Sequence, residues 1–325
     1  MSTVKQSYLD EKNVVSQLPR ADIGEGPWWD AKGQNLLTVD LYGEAIHRLN
    51  LQTGKHDVIN TGLMTGFAVL DQNDNVIAGL KDGIYKLQFG SAQKELLCRV
   101  PTVSDGDWHV NDGGCDRQGR IWAGTRMLNR KPEGSLYCLD SDGQLTEMVK
   151  GVRTSNGMGW SPDNKVMYYT DTQTWKIYSF DYDAKTGKVS NGPRVFAEIP
   201  QEDGRPDGLT VDKAGRVYSA LFTGGRVNVY TPDGKLEEVI SVPALKTTSV
   251  AFGGPDMKTL FITSGARDLT EDELRERPLS GRTFAVKRDV AGPPEARFNN
   301  TIDAAPRKAK RPSPKSSWQP LRIDM

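Results

Sequence analysis

One short pattern recurs six times along the chain and constrains the fold more than any other feature. An aspartate opens a turn-forming tetrad, and a β-rich run follows it. The copies begin at Asp30, Asp71, Asp116, Asp163, Asp212 and Asp256, spaced 41 to 49 residues apart. That period matches one four-stranded propeller blade. The tetrads supply residues that tolerate positive φ. The runs, such as Ile121-Trp122-Ala123-Gly124 and Leu260-Phe261-Ile262-Thr263, carry β-branched and aromatic residues that suit a pleated, packed surface. A single blade cannot bury both of its faces, whereas radial stacking buries them and protects the strand edges. The spacing therefore predicts an all-β, six-bladed β-propeller over residues 13–298, with a candidate metal site in its central channel. Residues 1–12 are an N-terminal lead, and residues 299–325 form a basic, Pro/Ser-rich tail read as disordered.

A ring must also close. The strand-like segment Asn13–Leu18 is expected to join the last blade beside Arg282–Arg288. Between them, Asp268–Arg277 reads as a short helix with Thr270 at its N-cap and acidic residues in its first turn, a candidate lid over one face.

Charge and cysteine usage remove several classes of function. Lys+Arg and Asp+Glu are both 42, so no bulk electrostatic case exists for a nucleic-acid or membrane-surface partner. No apolar run approaches the roughly 18 residues of a membrane span. The N-terminal stretch lacks an apolar h-region, so no secretory signal is expected. Cys98, Cys115 and Cys138 are odd in number and include no CxxC pair, which argues against a disulfide scaffold or a thiolate zinc site. The expected setting is a reducing, cytoplasmic compartment.

Functional residues emerge from equivalent offsets. Five residues before their anchors stand Glu25, Gly66, Asn111 and Asp207, and seven before theirs stand Asn156 and Ser249. Such positions lie at similar depth on the innermost strands, facing the channel. Glu25, Asn111, Asn156 and Asp207 should converge at one mouth, with Gly66 leaving room and Ser249 adding a hydroxyl. Two carboxylates and two amides form a hard-oxygen set that favours Ca²⁺, Mg²⁺ or Mn²⁺. Without a cation the carboxylates would repel each other. The competing reading is a wet channel of hydrogen-bonded polar residues; four such residues at corresponding depth weigh against it.

The local strings also resemble a known family. Gly24-Glu25-Gly26-Pro27-Trp28-Trp29, Asn111-Asp112-Gly113, Ser155-Asn156-Gly157-Met158-Gly159-Trp160, Pro206-Asp207-Gly208-Leu209 and Ser249-Val250-Ala251-Phe252 are similar to the motifs of the gluconolactonase/senescence marker protein (regucalcin)/luciferin-regenerating family, in order, across about residues 15–298. The resemblance implies a six-bladed propeller whose single divalent cation is held by Glu25, Asn156 and Asp207, with Asn111 against substrate. The implied cation is Ca²⁺ foremost, with Mg²⁺, Mn²⁺ and Zn²⁺ as alternatives. The implied substrate is a small sugar lactone. One departure stands out: members acting on simple sugar lactones commonly carry Arg two residues before that Asn, and here the residue is His109, a candidate substrate contact.

The expected chemistry is metal-dependent hydrolysis of an aldonolactone, with Asp207 as general base. No GxSxG is present, so direct water attack is expected rather than an acyl-enzyme. Arg126 offers either a cation near the same mouth or a surface charge, the latter preferred, while Trp28, Trp108 and Tyr42 offer either flat faces for a sugar ring or blade-packing side chains. The alternatives are a paraoxonase-like esterase acting on non-sugar substrates and a non-catalytic calcium-binding propeller.

Overall fold

The computed structural model describes residues 3–101, 107–302 and 319–323. It is a six-bladed β-propeller with six separate sheets. The innermost strands are Gly24–Asp30, Thr65–Leu70, Trp108–Cys115, Ser155–Trp160, Arg205–Val211 and Lys246–Gly253, for blades one to six in turn.

The repeated aspartates work as the pattern predicts. In every copy, a carboxylate oxygen accepts the backbone N–H two residues on: Lys32, Asn73, Gln118, Lys165, Ala214 and Lys258. Such a bond closes the turn locally. Each turn also holds one residue at positive φ, glycine in only two cases (Gly119 and Gly215) and otherwise Gln34, Asp74, Asn164 or Met257. Asp116 does more. Its buried Oδ2 accepts from the Arg120 Nε at 2.6 Å, the Trp122 indole at 3.1 Å and the Tyr182 hydroxyl at 2.7 Å, and so pins blade three to blade four.

Large aromatic side chains fill the wedges between blades. Trp29 of blade one stacks on Phe261 of blade six, ring centroids 5.9 Å apart, across the seam where the ring closes. Both are buried. Truncating residues of this kind costs about 3–5 kcal/mol.

Closure involves the expected segment, but lightly. Blade six has three strands. Val14 forms a single bridge to Phe284, and the Val15 N–H donates to the Thr283 carbonyl at 2.8 Å. The N-terminal lead is part of the fold. Lys5–Tyr8 adds a parallel fifth strand to blade five, with the Ser7 hydroxyl bonded to Glu238 at 2.6 Å. The described parts of the tail are also docked. Asn299 donates its N–H to the Gly119 carbonyl. Leu321–Arg322 pairs in parallel with Val149 and Lys150 of blade three, and Ile323 is buried. At Asn299, Thr301 and Leu321–Ile323 the tail expected to be disordered is instead docked, because a few apolar and backbone groups suffice to cap an exposed blade edge. Residues 303–318 lie outside the described residues. All three cysteines are free. Among the described residues no helix is long and apolar enough to cross a membrane.

Candidate metal centre and substrate cavity

Every innermost strand breaks register against its neighbour near mid-strand: between Glu25 and Trp28, Thr65 and Phe67, Val110 and Gly113, Asn156 and Met158, Pro206 and Leu209, and Thr247 and Val250. A bulge re-aims side chains that a regular strand would send elsewhere. Here it turns Glu25, Asn111, Asn156 and Asp207 into one cavity of about 160 Å³ at one mouth of the channel. All four are buried.

Small residues let these strands approach. A Cβ on Gly66 would fall 1.9 Å from the Asn111 carbonyl oxygen, and one on Gly157 would fall 2.4 Å from that of Asp207. The room that Gly66 leaves is therefore taken by the Asn111 backbone and not by a ligand.

A chain of hydrogen bonds sets the amide orientations. The Asn111 Nδ2 donates to the Ser155 carbonyl at 2.8 Å and to the Asn156 Oδ1 at 2.9 Å. The Asn156 Nδ2 donates to the Thr172 hydroxyl at 2.7 Å, which donates to the Pro206 carbonyl at 2.8 Å. With both of its N–H groups engaged, Asn111 offers the cavity its carbonyl oxygen.

Among the described residues neither Glu25 nor Asp207 forms an ion pair, although the charge of Arg126 bears on both. Burial drives Asp207 well above its ordinary pKa, and the charge of Asp112 adds to the rise; Arg126, the Gly208 N–H and Asn156 oppose it. Burial likewise raises Glu25, followed by the charges of Asp207 and Asp112. The Asp207 Oδ1 is buried with no hydrogen-bond partner. Among the described residues no group of three or more His, Cys, Asp or Glu side chains is disposed to hold a metal. The candidate donor set is instead mixed, two carboxylates with two amide oxygens. An orphaned buried carboxylate oxygen beside a second carboxylate fits a hard divalent cation.

Other expected residues fall elsewhere. His109 is fully buried and does not line the cavity. Its Nδ1 meets the Val110 carbonyl at 3.0 Å, and burial lowers its pKa to about 4. Its ring packs edge-on to Tyr42, centroids 6.4 Å apart, and Tyr42 does line the cavity. His109 precedes the bulge, so it does not share the orientation of Asn111. The cation absent at position 109 stands across the strand pair instead: Arg126, the register partner of His109, lines the cavity. Ser249, Trp28 and Cys115 line a second cavity of about 110 Å³, together with Asp112 and Glu295. Trp108 packs against the core of the first three blades. The helix Glu271–Glu276 forms with Thr270 capping it, and the adjoining Arg267 and Asp268 reach the rim. Sequence reasoning missed Arg130, Arg205, Thr172, Lys246 and Arg267 as lining residues. Arg205 alone carried a local signal, since it directly precedes Pro206-Asp207-Gly208.

Comparison with known proteins adds to this geometry. Residues 23–266 match the model of the SMP-30/Gluconolactonase/LRE-like region. The chain is 36% identical over 277 residues to a 6-deoxy-6-sulfogluconolactonase of Pseudomonas putida, covering 85% of this chain and 94% of that one. It is 34% identical over 280 residues to the pentonolactonase XacC of Haloferax volcanii, covering 85% and 94%. The structure of a calcium-binding protein, regucalcin, from Agrobacterium tumefaciens superposes with a TM-score of 0.85 at 24% identity, covering 91% of this chain and 99% of that one; this likeness is one of fold.

Proposed function

The chain belongs to the SMP-30/gluconolactonase/LRE-like family, and from that premise we propose that it is a metal-dependent hydrolase opening a sugar lactone to its aldonic acid. The observation that carries the reading is the meeting of Glu25, Asn156, Asp207 and the Asn111 carbonyl oxygen in one buried cavity, with the Asp207 Oδ1 unpartnered. Lactonases among the relatives support the substrate class.

Glu25, Asn156 and Asp207 would hold one divalent cation, Ca²⁺ by preference for such oxygen donors, which when bound supplies Lewis-acid polarisation of the lactone carbonyl. The chain's own residues account for the rest. Asp207 takes a proton from the attacking water and returns it to the ring oxygen as the acyl–oxygen bond breaks. The Asn111 Oδ1 accepts a hydrogen bond from a sugar hydroxyl and so orients the ring. Tyr42 lines the cavity with His109 edge-on to its ring and the Arg267 guanidinium 4.3 Å from its centroid.

A pH-stat assay tests this on protein stripped with chelator. Acid release from neutral and acidic aldonolactones should be absent at first and should return with Ca²⁺, Mg²⁺, Mn²⁺ or Zn²⁺. Undiminished turnover by the stripped protein would exclude the metal role, and failure with every lactone and cation would exclude the hydrolase.

A further inference from the structure

Three arginines line the cavity that Glu25 and Asp207 also line, yet no carboxylate among the described residues pairs with them. Arg126 lies in the second strand of blade three, Arg130 in the turn that follows it, and Arg205 opens the innermost strand of blade five; all three line the cavity. Among the described residues none of the three forms an ion pair. Their neighbours differ. Arg267 pairs with Asp22 at 3.4 Å, and the Lys246 ammonium donates to the Arg267 carbonyl. Arg126 also bears on Glu25 and Asp207, opposing the rise of both.

Isolated arginines on a surface need no partner. These three are grouped, and Arg205 is half-buried. Its guanidinium sits over the Trp175 ring, 5.3 Å from the centroid. Stacking of this kind fixes the plane of the fork and leaves its N–H edge available. All three side chains line the same cavity, so their positive charges are brought together there. Grouping like charges in a partly desolvated cavity is costly unless an opposite charge arrives. Guanidinium forks match the oxygens of phosphate, sulfonate and carboxylate.

We propose that Arg126, Arg130 and Arg205 form an anion subsite, and that the lactone taken at this cavity carries a terminal phosphate, sulfonate or carboxylate. The assignment of a lactone rests on the function proposed above; the anion subsite rests on the arginines alone. The cationic rim also draws such substrates in from solution, an effect that salt screens.

The test compares glucono-δ-lactone with its 6-phosphate, its 6-sulfonate and the lactone of the corresponding dicarboxylic acid. Wild type should favour at least one charged lactone over the neutral one by about tenfold or more in kcat/KM, less so at high salt. Arg130→Gln and Arg205→Gln should shrink that ratio, chiefly through KM. A ratio near one in wild type, or a ratio indifferent to both substitutions, overturns the subsite. A second arm needs no turnover: calorimetric titration with the ring-opened acids, with and without the terminal phosphate. If no lactone is opened yet the phosphorylated acid binds more tightly in an arginine-dependent way, the subsite stands and the hydrolase falls. If lactones are opened without regard to charge, the hydrolase stands and the subsite falls.

Discussion

Asn111 donates from its Nδ2 to the Asn156 Oδ1 at 2.9 Å, from blade three to blade four. That bond, with the second one to the Ser155 carbonyl, decides which atom each amide shows the cavity. Asn156 is held by Thr172 on one side and by Asn111 on the other. Asn111 thus has two tasks, presenting its own oxygen and orienting a proposed cation donor.

Replacing Asn111 with alanine should remove both. Partners that orient metal ligands typically contribute about 10- to 100-fold in affinity or activity. Asn111→Ala should lose activity within or beyond that range and weaken cation binding, while circular dichroism remains that of a folded propeller. Unchanged cation affinity would remove the orienting role.

The contact of Gly66 with the Asn111 carbonyl predicts an effect at a residue that touches no ligand. Gly66→Ala would set a methyl group 1.9 Å from that oxygen. Overpacking of this kind costs about 1–3 kcal/mol, and the displaced strand carries Asn111 with it. Activity should fall along with the melting temperature. Gly114→Ala, whose added methyl would meet nothing within 4 Å, serves as the control and should be near neutral. Equal behaviour of the two variants would contradict the packing.

Glu25 and Asp207 both have raised pKa values in the folded chain. Each therefore keeps a proton at pH values where an unfolded carboxylate has lost it. In cation-free protein these groups reduce stability as pH rises from the ordinary carboxylate range through their raised values. A bound cation requires the ionised forms, so cation affinity should rise with pH across the same window, and binding should release protons. Calorimetry in buffers of different ionisation enthalpy, at several pH values between about 5 and 8, measures both. Affinity that falls with rising pH would contradict the sign.

Asp116 offers a test of the frame apart from the site. Its carboxylate answers Arg120, Trp122 and Tyr182 in the interior. Asp116→Ala leaves a buried guanidinium unpaired, which typically costs about 3–5 kcal/mol. Chemical denaturation should report a loss of that size.

Much of this was legible before the structure, for a physical reason. An aspartate that caps its own turn leaves the same local mark in every blade, so Asp30, Asp116 and Asp212 announce the period. Glu25, Asn111, Asn156 and Asp207 were found because comparable strands place comparable offsets at similar depth. The same rule failed for Ser249, and the expectation that the resemblance gave for His109 failed as well. A bulge displaces the side chain on one side of it differently from that on the other, and a count of residues does not carry that displacement. Arg126 was weighed as a cation near the mouth and set aside for a surface charge, and the grouping of Arg130 and Arg205 with it was hidden because it joins residues of blades three and five that are far apart in sequence. Lys5–Tyr8 and Leu321–Arg322 are too short for a readable alternation, and their pairing is set by the free blade edges they cover.

The central claim is that Glu25, Asn156 and Asp207 share one cation, and a calorimetric titration of Ca²⁺ onto chelator-stripped protein addresses it most directly. Wild type should bind with a stoichiometry near one, and Glu25→Gln and Asp207→Asn should each abolish that binding while remaining folded. Retention of the same stoichiometry and affinity in both folded variants would contradict the claim.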